Sequence, residues 1–203
     1  CRLRRRCADC FRLVSRTAAQ HGIIPPLLKC WKNWPTTKLK NTQNNRMSAQ
    51  ELVNQLRSFL PPDAVLHEIE DLKPYECDGL SAYRQLPMIV VLPQTEEQII
   101  KILQLCYATQ TPVVARGAGT GLSGGALPHA QGVLLSLAKL KQIIAIDPLA
   151  RTARVQPGVR NLAISEAVAS YGLYYAPDPS SQIACSIGGN VAENSGGVHC
   201  LKY

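Results

Sequence analysis

Arg116-Gly117-Ala118-Gly119-Thr120-Gly121-Leu122-Ser123-Gly124-Gly125 places five glycines in ten residues, directly after the apolar run Pro112-Val113-Val114-Ala115. Glycine has no Cβ and tolerates positive φ, so consecutive bare amides in such a loop can converge on one anion. Thr120 and Ser123 add hydroxyl donors and Arg116 adds a positive charge. The chemistry offered is the cradling of a phosphate or a dinucleotide; the plainer alternative is a connection that uses glycine only to turn. A second cluster lies near the end of the chain, Ser186-Ile187-Gly188-Gly189-Asn190-Val191-Ala192-Glu193-Asn194-Ser195-Gly196-Gly197. It reads as amides at a helix start, with Asn190 and Asn194 as side-chain hydrogen bonders.

Spacing narrows the kind of loop. Gly119, Gly121 and Gly124 fit G-x-G-x-x-G, but the nicotinamide-type motif needs a helix to open at those glycines. Only seven residues, Pro128 among them, separate Gly124 from the strand-like run Gly132–Leu137, and a crossover with its helix takes at least about 10–12. No Gly-Lys-Ser/Thr follows the glycines, which excludes a P-loop.

The elements that must hold these loops alternate. Ser48-Ala49-Gln50-Glu51 has the form of a capping box opening a helix to about Leu60, with Leu52, Leu56 and Phe59 on one stripe. Met88–Leu92 is a buried strand. Thr95 caps a helix to about Thr109, whose Ile99, Ile100, Leu103 and Tyr107 recur at helical spacing. Val113–Ala115 completes a βαβ unit, expected parallel and right-handed. Strands near Val133–Leu137, Ile143–Asp147 and Arg151–Gln156 follow, the last two joined by Pro148-Leu149-Ala150 as an antiparallel hairpin. A helix from about Asn161 to Tyr171 comes next. The expected class is α+β with a mixed sheet.

Residues 72–203 resemble the FAD-binding domain of the vanillyl-alcohol oxidase/p-cresol methylhydroxylase (PCMH) superfamily, in the branch that holds the FAD-binding subunits of glycolate oxidases together with D-lactate dehydrogenases. The strings that carry the resemblance are Lys73-Pro74-Tyr75-Glu76-Cys77-Asp78-Gly79, the first glycine loop, Gln156-Pro157-Gly158-Val159, Pro177–Ser181, and Gly188-Gly189-Asn190 through Gly197-Val198-His199-Cys200. The resemblance implies a PCMH-type FAD domain that is incomplete at its C-terminus, because such enzymes continue into a substrate domain. It puts the FAD pyrophosphate on the amides of Gly117, Ala118, Gly119, Thr120 and Gly121 beside Arg116, with Gly124, Gly125 and Ala126 continuing the cradle. It lines the cofactor with Pro157 and Gly158. Asp178, Pro179, Ser181, Ile183, Ser186, Gly188, Gly189 and Asn190 are implied to enclose the flavin end and ribityl chain. Some relatives bind flavin through a histidine in the first loop; none lies between Arg116 and Pro128, so non-covalent FAD is expected.

The formal net charge of +8 invites a nucleic-acid or membrane partner. Residues 1–46 hold eleven of the 22 Lys and Arg and one of the 14 acidic residues, so the tail carries +10 and the remainder −2. The basic tail is expected to be disordered and to lie outside the native protein, with Met47 as first residue, or to be an organelle leader. Its Cys7-Ala8-Asp9-Cys10, with His21 and Cys30, matches no standard zinc spacing. Trp31 and Trp34 among lysines could stack on bases, but no nucleic-acid module surrounds them. Cys77, Cys106, Cys185 and Cys200 are scattered as reduced thiols are; His67 and His199 stand singly and read as structural. No run approaches the ~18 apolar residues of a membrane span.

The implied function is oxidation of a small 2-hydroxy acid, glycolate or D-lactate, by hydride transfer to flavin. Further oxidase subunits and an electron acceptor are implied partners. The implied place is the cytoplasm, with a peripheral position at the inner membrane open. The competing reading is a truncated FAD-binding fragment without activity of its own, and no catalytic residue or metal ligand is assigned.

Overall fold

The computed structural model describes residues 47–201. The tail of residues 1–46, with its expected disorder, cysteine pair and tryptophans, lies outside the described residues, as do Lys202 and Tyr203.

Helix α1 (Ala49–Arg57) opens on the expected capping box: Ser48 Oγ accepts from the Glu51 amide and the Glu51 carboxylate accepts from the Ser48 amide. It buries Leu52, Val53 and Leu56. The short strand β1 (Val65–Leu66) and helix α2 (Ile69–Leu72) follow. Then come strand β2 (Ile89–Val91), helix α3 (Glu96–Ala108) capped by Thr95, and strand β3 (Val113–Arg116). Strands β4 (Val133–Ser136), β5 (Ile143–Asp147) and β6 (Thr152–Val155), helix α4 (Asn161–Val168) and helix α5 (Ile187–Glu193) complete the order.

The main sheet has the order β1-β2-β4-β3, with β1 antiparallel to β2 and the other neighbours parallel. β5 and β6 form a separate antiparallel pair. The mixed sheet and the hairpin are thus as the sequence suggests. One step differs: β2 and β3, joined by α3, are not neighbours, because β4 enters between them. β4 is the central strand, and all four of its residues are buried, as are Ile89, Val90 and Val91 beside it. Continuous apolar runs are what a strand covered on both faces requires.

A second correction concerns α3. The stripe Ile100, Leu103, Tyr107 faces outward, 41–48% exposed, while Ile102 and Cys106 are buried and Ile99 and Leu105 pack on the core. The helix has apolar residues on two overlapping faces, and spacing alone does not choose between them. Burial without a cationic partner pushes the Cys106 thiol up to about 11.

Candidate functional site

The first glycine loop leaves the carboxyl end of β3, fixed there because Arg116 pairs with Ser136 and its carbonyl accepts from the Leu137 amide at 2.9 Å. A crevice at the carboxyl ends of parallel strands is where open sheets of this kind take ligands. Among the described residues, no backbone carbonyl accepts a hydrogen bond from the amides of residues 117–126. The loop is therefore a set of donors without acceptors, held in place from outside.

Three contacts hold it. The Arg116 guanidinium donates to the Cys77 carbonyl at 2.6 Å and lies over the Tyr75 ring. It also fills the space beneath Gly119, whose φ is +71° and where a Cβ would overlap it. Gly79 lies against the carbonyls of Thr120 and Gly121, each 2.8 Å from where its Cβ would stand. Gly125 abuts the Glu193 carboxylate at the end of α5. Residues Lys73–Gly79 thus form the floor of the loop, and Arg116 braces it from below.

The second cluster meets the first at Gly117. A Cβ there would overlap Ser186 Oγ, and one on Gly189 would stand 3.3 Å from the same oxygen. Ser186 is 5% exposed, and its Oγ has no hydrogen-bond partner in the described structure. Residues 157–161 support this cluster: the amides of Ile187 and Gly188 donate to the carbonyls of Val159 and Pro157 at 2.8 and 2.9 Å, and Arg160 bridges Ser186 antiparallel. Gly158 is packed under the carbonyls of Leu137 and Leu140, and its amide donates to the latter at 2.7 Å.

Below the cluster runs a buried amide chain. Asn190 Nδ2 donates to Asn161 Oδ1, and Asn161 Nδ2 donates to the Pro177 carbonyl, both at 3.0 Å. That chain ties Pro177-Asp178-Pro179 to both helices. The Gln182 amide donates to the Pro179 carbonyl and the amides of Ala184 and Cys185 to that of Ser181, all at 2.8 Å, so the segment turns back toward Ser186.

Of the residues singled out in the sequence, Gly117, Ser186 and Gly189 come together at one point, with Pro157 against Gly188 and Gly125 against α5. Gly121 and Gly124 face open space, whereas Ala118, Thr120 and Ala126 complete the loop. Ile183 stands apart, 64% exposed, its carbonyl accepting from Arg160. The sequence reading missed Asp78, 6% exposed, whose Oδ1 accepts from the Leu80 amide at 2.9 Å and whose Oδ2 has no partner among the described residues. It also missed the pairing of His199 with Asp178, at 2.7 Å. The strings that hold them were visible; the burial of Asp78 and the contact of His199 across 21 positions were not.

Mixed sheet, unengaged glycine-loop amides and an orphaned buried hydroxyl define a domain that binds a nucleotide cofactor. The model of the family described as FAD binding domain matches residues 87–203, and the chain belongs to that family. It is 67% identical over 148 residues to glycolate oxidase subunit GlcD of Escherichia coli K12, an overlap of 73% of this chain and 30% of that protein. With D-lactate dehydrogenase of Anaerostipes hadrus it shares 32% identity over 154 residues, 75% of this chain and 32% of that protein. Among solved structures it is similar to p-cresol methylhydroxylase with substrate bound, at TM-score 0.55 and 28% identity, covering 63% of this chain and 27% of that one. The fold is thus the PCMH type, and the chain spans about a third of the length of these relatives.

The residues present fit FAD. The amides of 117–126 offer neutral donors to a pyrophosphate, and Ser186 Oγ offers a hydroxyl that is buried with nothing to bond. Leaving such a group unmade costs about 1–3 kcal/mol, a cost that a bound oxygen removes. Among the described residues no helix is long and apolar enough to cross a membrane.

Proposed function

We propose that this chain is the FAD-holding part of a flavoprotein that oxidises a small 2-hydroxy acid, glycolate or D-lactate. The observation that carries the reading is the loop of residues 117–126, whose amides have no backbone acceptor and which meets the orphaned Ser186 hydroxyl at Gly117. Likeness to GlcD and to a D-lactate dehydrogenase supports the substrate class.

FAD, when bound, supplies the two-electron acceptor for the hydride on Cα of the acid. The work of this chain is to hold and orient. Gly117, Ala118, Gly119, Thr120 and Gly121 would donate to the pyrophosphate, with Gly124, Gly125 and Ala126 extending the cradle. Arg116 acts from beneath, keeping Gly119 in place through Cys77 and Tyr75 rather than reaching the phosphate itself. Pro157 and Gly158 would line the cofactor. Asp178, Pro179, Ser181, Ile183, Ser186, Gly188, Gly189 and Asn190 would close the flavin end. FAD is held without a covalent bond in this reading. The whole protein works as one subunit of an oxidase that passes electrons to a further acceptor, in the cytoplasm or at the inner face of a membrane, and needs no nucleic acid.

Anaerobic mixing of the full-length, FAD-loaded protein with each acid tests the reading. Bleaching of the yellow flavin band with glycolate or D-lactate is expected, and a band unchanged by both overturns it. Acid precipitation is expected to leave all flavin in the supernatant; flavin in the pellet overturns non-covalent binding. The share of its relatives that the chain spans favours a second reading, in which these 203 residues hold FAD without activity of their own. Dye reduction by the 203-residue chain with excess FAD separates the two.

A further inference from the structure

Asp178 is gripped by three residues of the segment after α5, Gly196, Gly197 and His199. Its amide donates to the Gly196 carbonyl at 3.2 Å, and it bridges Gly197 in parallel. The His199 amide donates to its Oδ1 at 3.4 Å, and the His199 ring nitrogen Nδ1 donates to its Oδ2 at 2.7 Å. Gly197 has φ of +87°, and a Cβ there would overlap the Asp178 backbone, so the approach is close enough to demand glycine. The pair lies at the mouth of a cavity of about 250 Å³ lined also by Ser165, Tyr174, Tyr175 and Gln182. No lysine or arginine lines that cavity, so the group there that answers the carboxylate is the His199 ring.

We infer that His199 is a positioning residue for FAD: by gripping both carboxylate oxygens of Asp178 it keeps the Pro177–Ser181 segment folded against the cofactor. The inference rests on the reading that this segment closes the flavin end of the site. The segment has no strand of its own; its side-chain ties include the Asn161–Pro177 hydrogen bond on one side and the His199 grip on the other. A loop fixed before binding loses less freedom when the ligand arrives.

The grip has a direction in pH. The hydrogen bond from the His199 ring, opposed by desolvation and helped by the His199 amide and charge, holds the Asp178 carboxyl below the usual carboxylate range. A depressed folded-state value means that the grip is whole above the ordinary carboxylate range and is lost as pH falls through the lowered value. The other titratable groups facing the pair are the phenols of Tyr174 and Tyr175, and burial raises the latter further from neutrality. Removing His199 lets Asp178 titrate at its ordinary, higher value, so FAD release in acid moves to higher pH.

FAD titrations of the 203-residue chain from about pH 4 to about pH 8 test this, in wild type, His199→Ala, His199→Gln and Cys200→Ser, with far-ultraviolet circular dichroism of each as a folding control. His199→Ala is expected to weaken FAD binding at neutral pH about three- to tenfold, as befits a charge-assisted bond exposed to solvent, and to raise the pH of acid release. His199→Gln, which keeps a side-chain donor, recovers part of the affinity but not the acid profile. Cys200→Ser, next to it in the same segment, binds as wild type. Wild-type affinity and acid profile in His199→Ala overturn the inference alone, and so does an equal loss in Cys200→Ser. No FAD binding by the wild type overturns the site reading and the inference with it. If His199→Ala loses its helical signal, His199→Gln decides: an acid profile identical to wild type overturns the grip.

Discussion

At Gly121 and Gly124 an added methyl group would meet nothing within 4 Å, whereas at Gly158, Gly188 and Gly197 it would run into backbone. Gly121 and Gly124 in the first loop are therefore glycine in a different setting from Gly158, Gly188 and Gly197. In the second region glycine makes room for the protein itself: Pro157 against Gly188, Asp178 against Gly197, two carbonyls against Gly158. At Gly121 and Gly124 of the first loop no protein atom claims the space. Gly121 in particular has neither a left-handed φ nor a crowding neighbour, so in the proposed reading glycine serves there to let a ligand approach the amides. Packing and ligand approach are separable demands, and substitution can separate them.

The largest effect is expected at Gly158→Ala. The new methyl would stand 2.5 and 2.6 Å from the carbonyl oxygens of Leu137 and Leu140, a clash that only a backbone shift relieves. A loss of about 3 kcal/mol or more in urea unfolding is expected; a change below about 0.5 kcal/mol would break the contrast. Gly197→Ala adds left-handed strain to its contact with Asp178, for a loss of about 1–3 kcal/mol by the same measurement. Asn161→Ala cuts the buried chain between Asn190 and Pro177 and is expected to cost about 1–3 kcal/mol. FAD affinity should fall with it, because that chain sets the Pro177 segment. Gly121→Val sharpens the comparison from the other side: unfolding within about 0.5 kcal/mol of wild type, with FAD affinity in fluorescence titration down at least about tenfold. Equal losses of stability at Gly121 and Gly158 would mean that the first loop is packed after all. The smallest effect concerns the scaffold between them. Near pH 8 Cys106, buried with its thiol raised to about 11, is expected to resist alkylation while exposed Cys200 reacts; equal rates would show that the α3 face opens to solvent.

Much of the scaffold was legible because its signals are local. Ser48 with Glu51 and Thr95 before Glu96 mark helix starts through side-chain caps that need no tertiary partner. The hairpin at Pro148-Leu149-Ala150 is likewise a short-range feature. The glycine loops stand out in the sequence because glycine density is itself unusual. What was not legible depends on distance. Nothing in Val113–Ala115 or Val133–Leu137 says that the later strand takes the inner place, and the apolar residues of α3 permit two faces, of which the sheet selects the one with Ile102 and Cys106. Arg116 borders the loop in the sequence, but its hydrogen-bond partner, the Cys77 carbonyl, is 39 residues upstream. His199 looked solitary for the same reason.

The placement of β4 bears on how the chain reaches this state. With β2 and β3 on either side of it, the two earlier strands bracket a gap about 10 Å across, twice the spacing of neighbouring strands. During synthesis, β2, α3 and β3 emerge before anything can fill that gap. Among the described residues β3 pairs with no strand but β4, and the amide of Leu137 that anchors the Arg116 carbonyl comes from the far end of the inserted strand. The first glycine loop can therefore take its shape only after residues 133–137 slide between their predecessors, so the cradle is assembled by insertion rather than by sequential addition. Contacts of that span slow folding, and a nascent chain halted before residue 133 would carry β3 without its β4 partner and β2 with one edge open, a natural target for a holding chaperone.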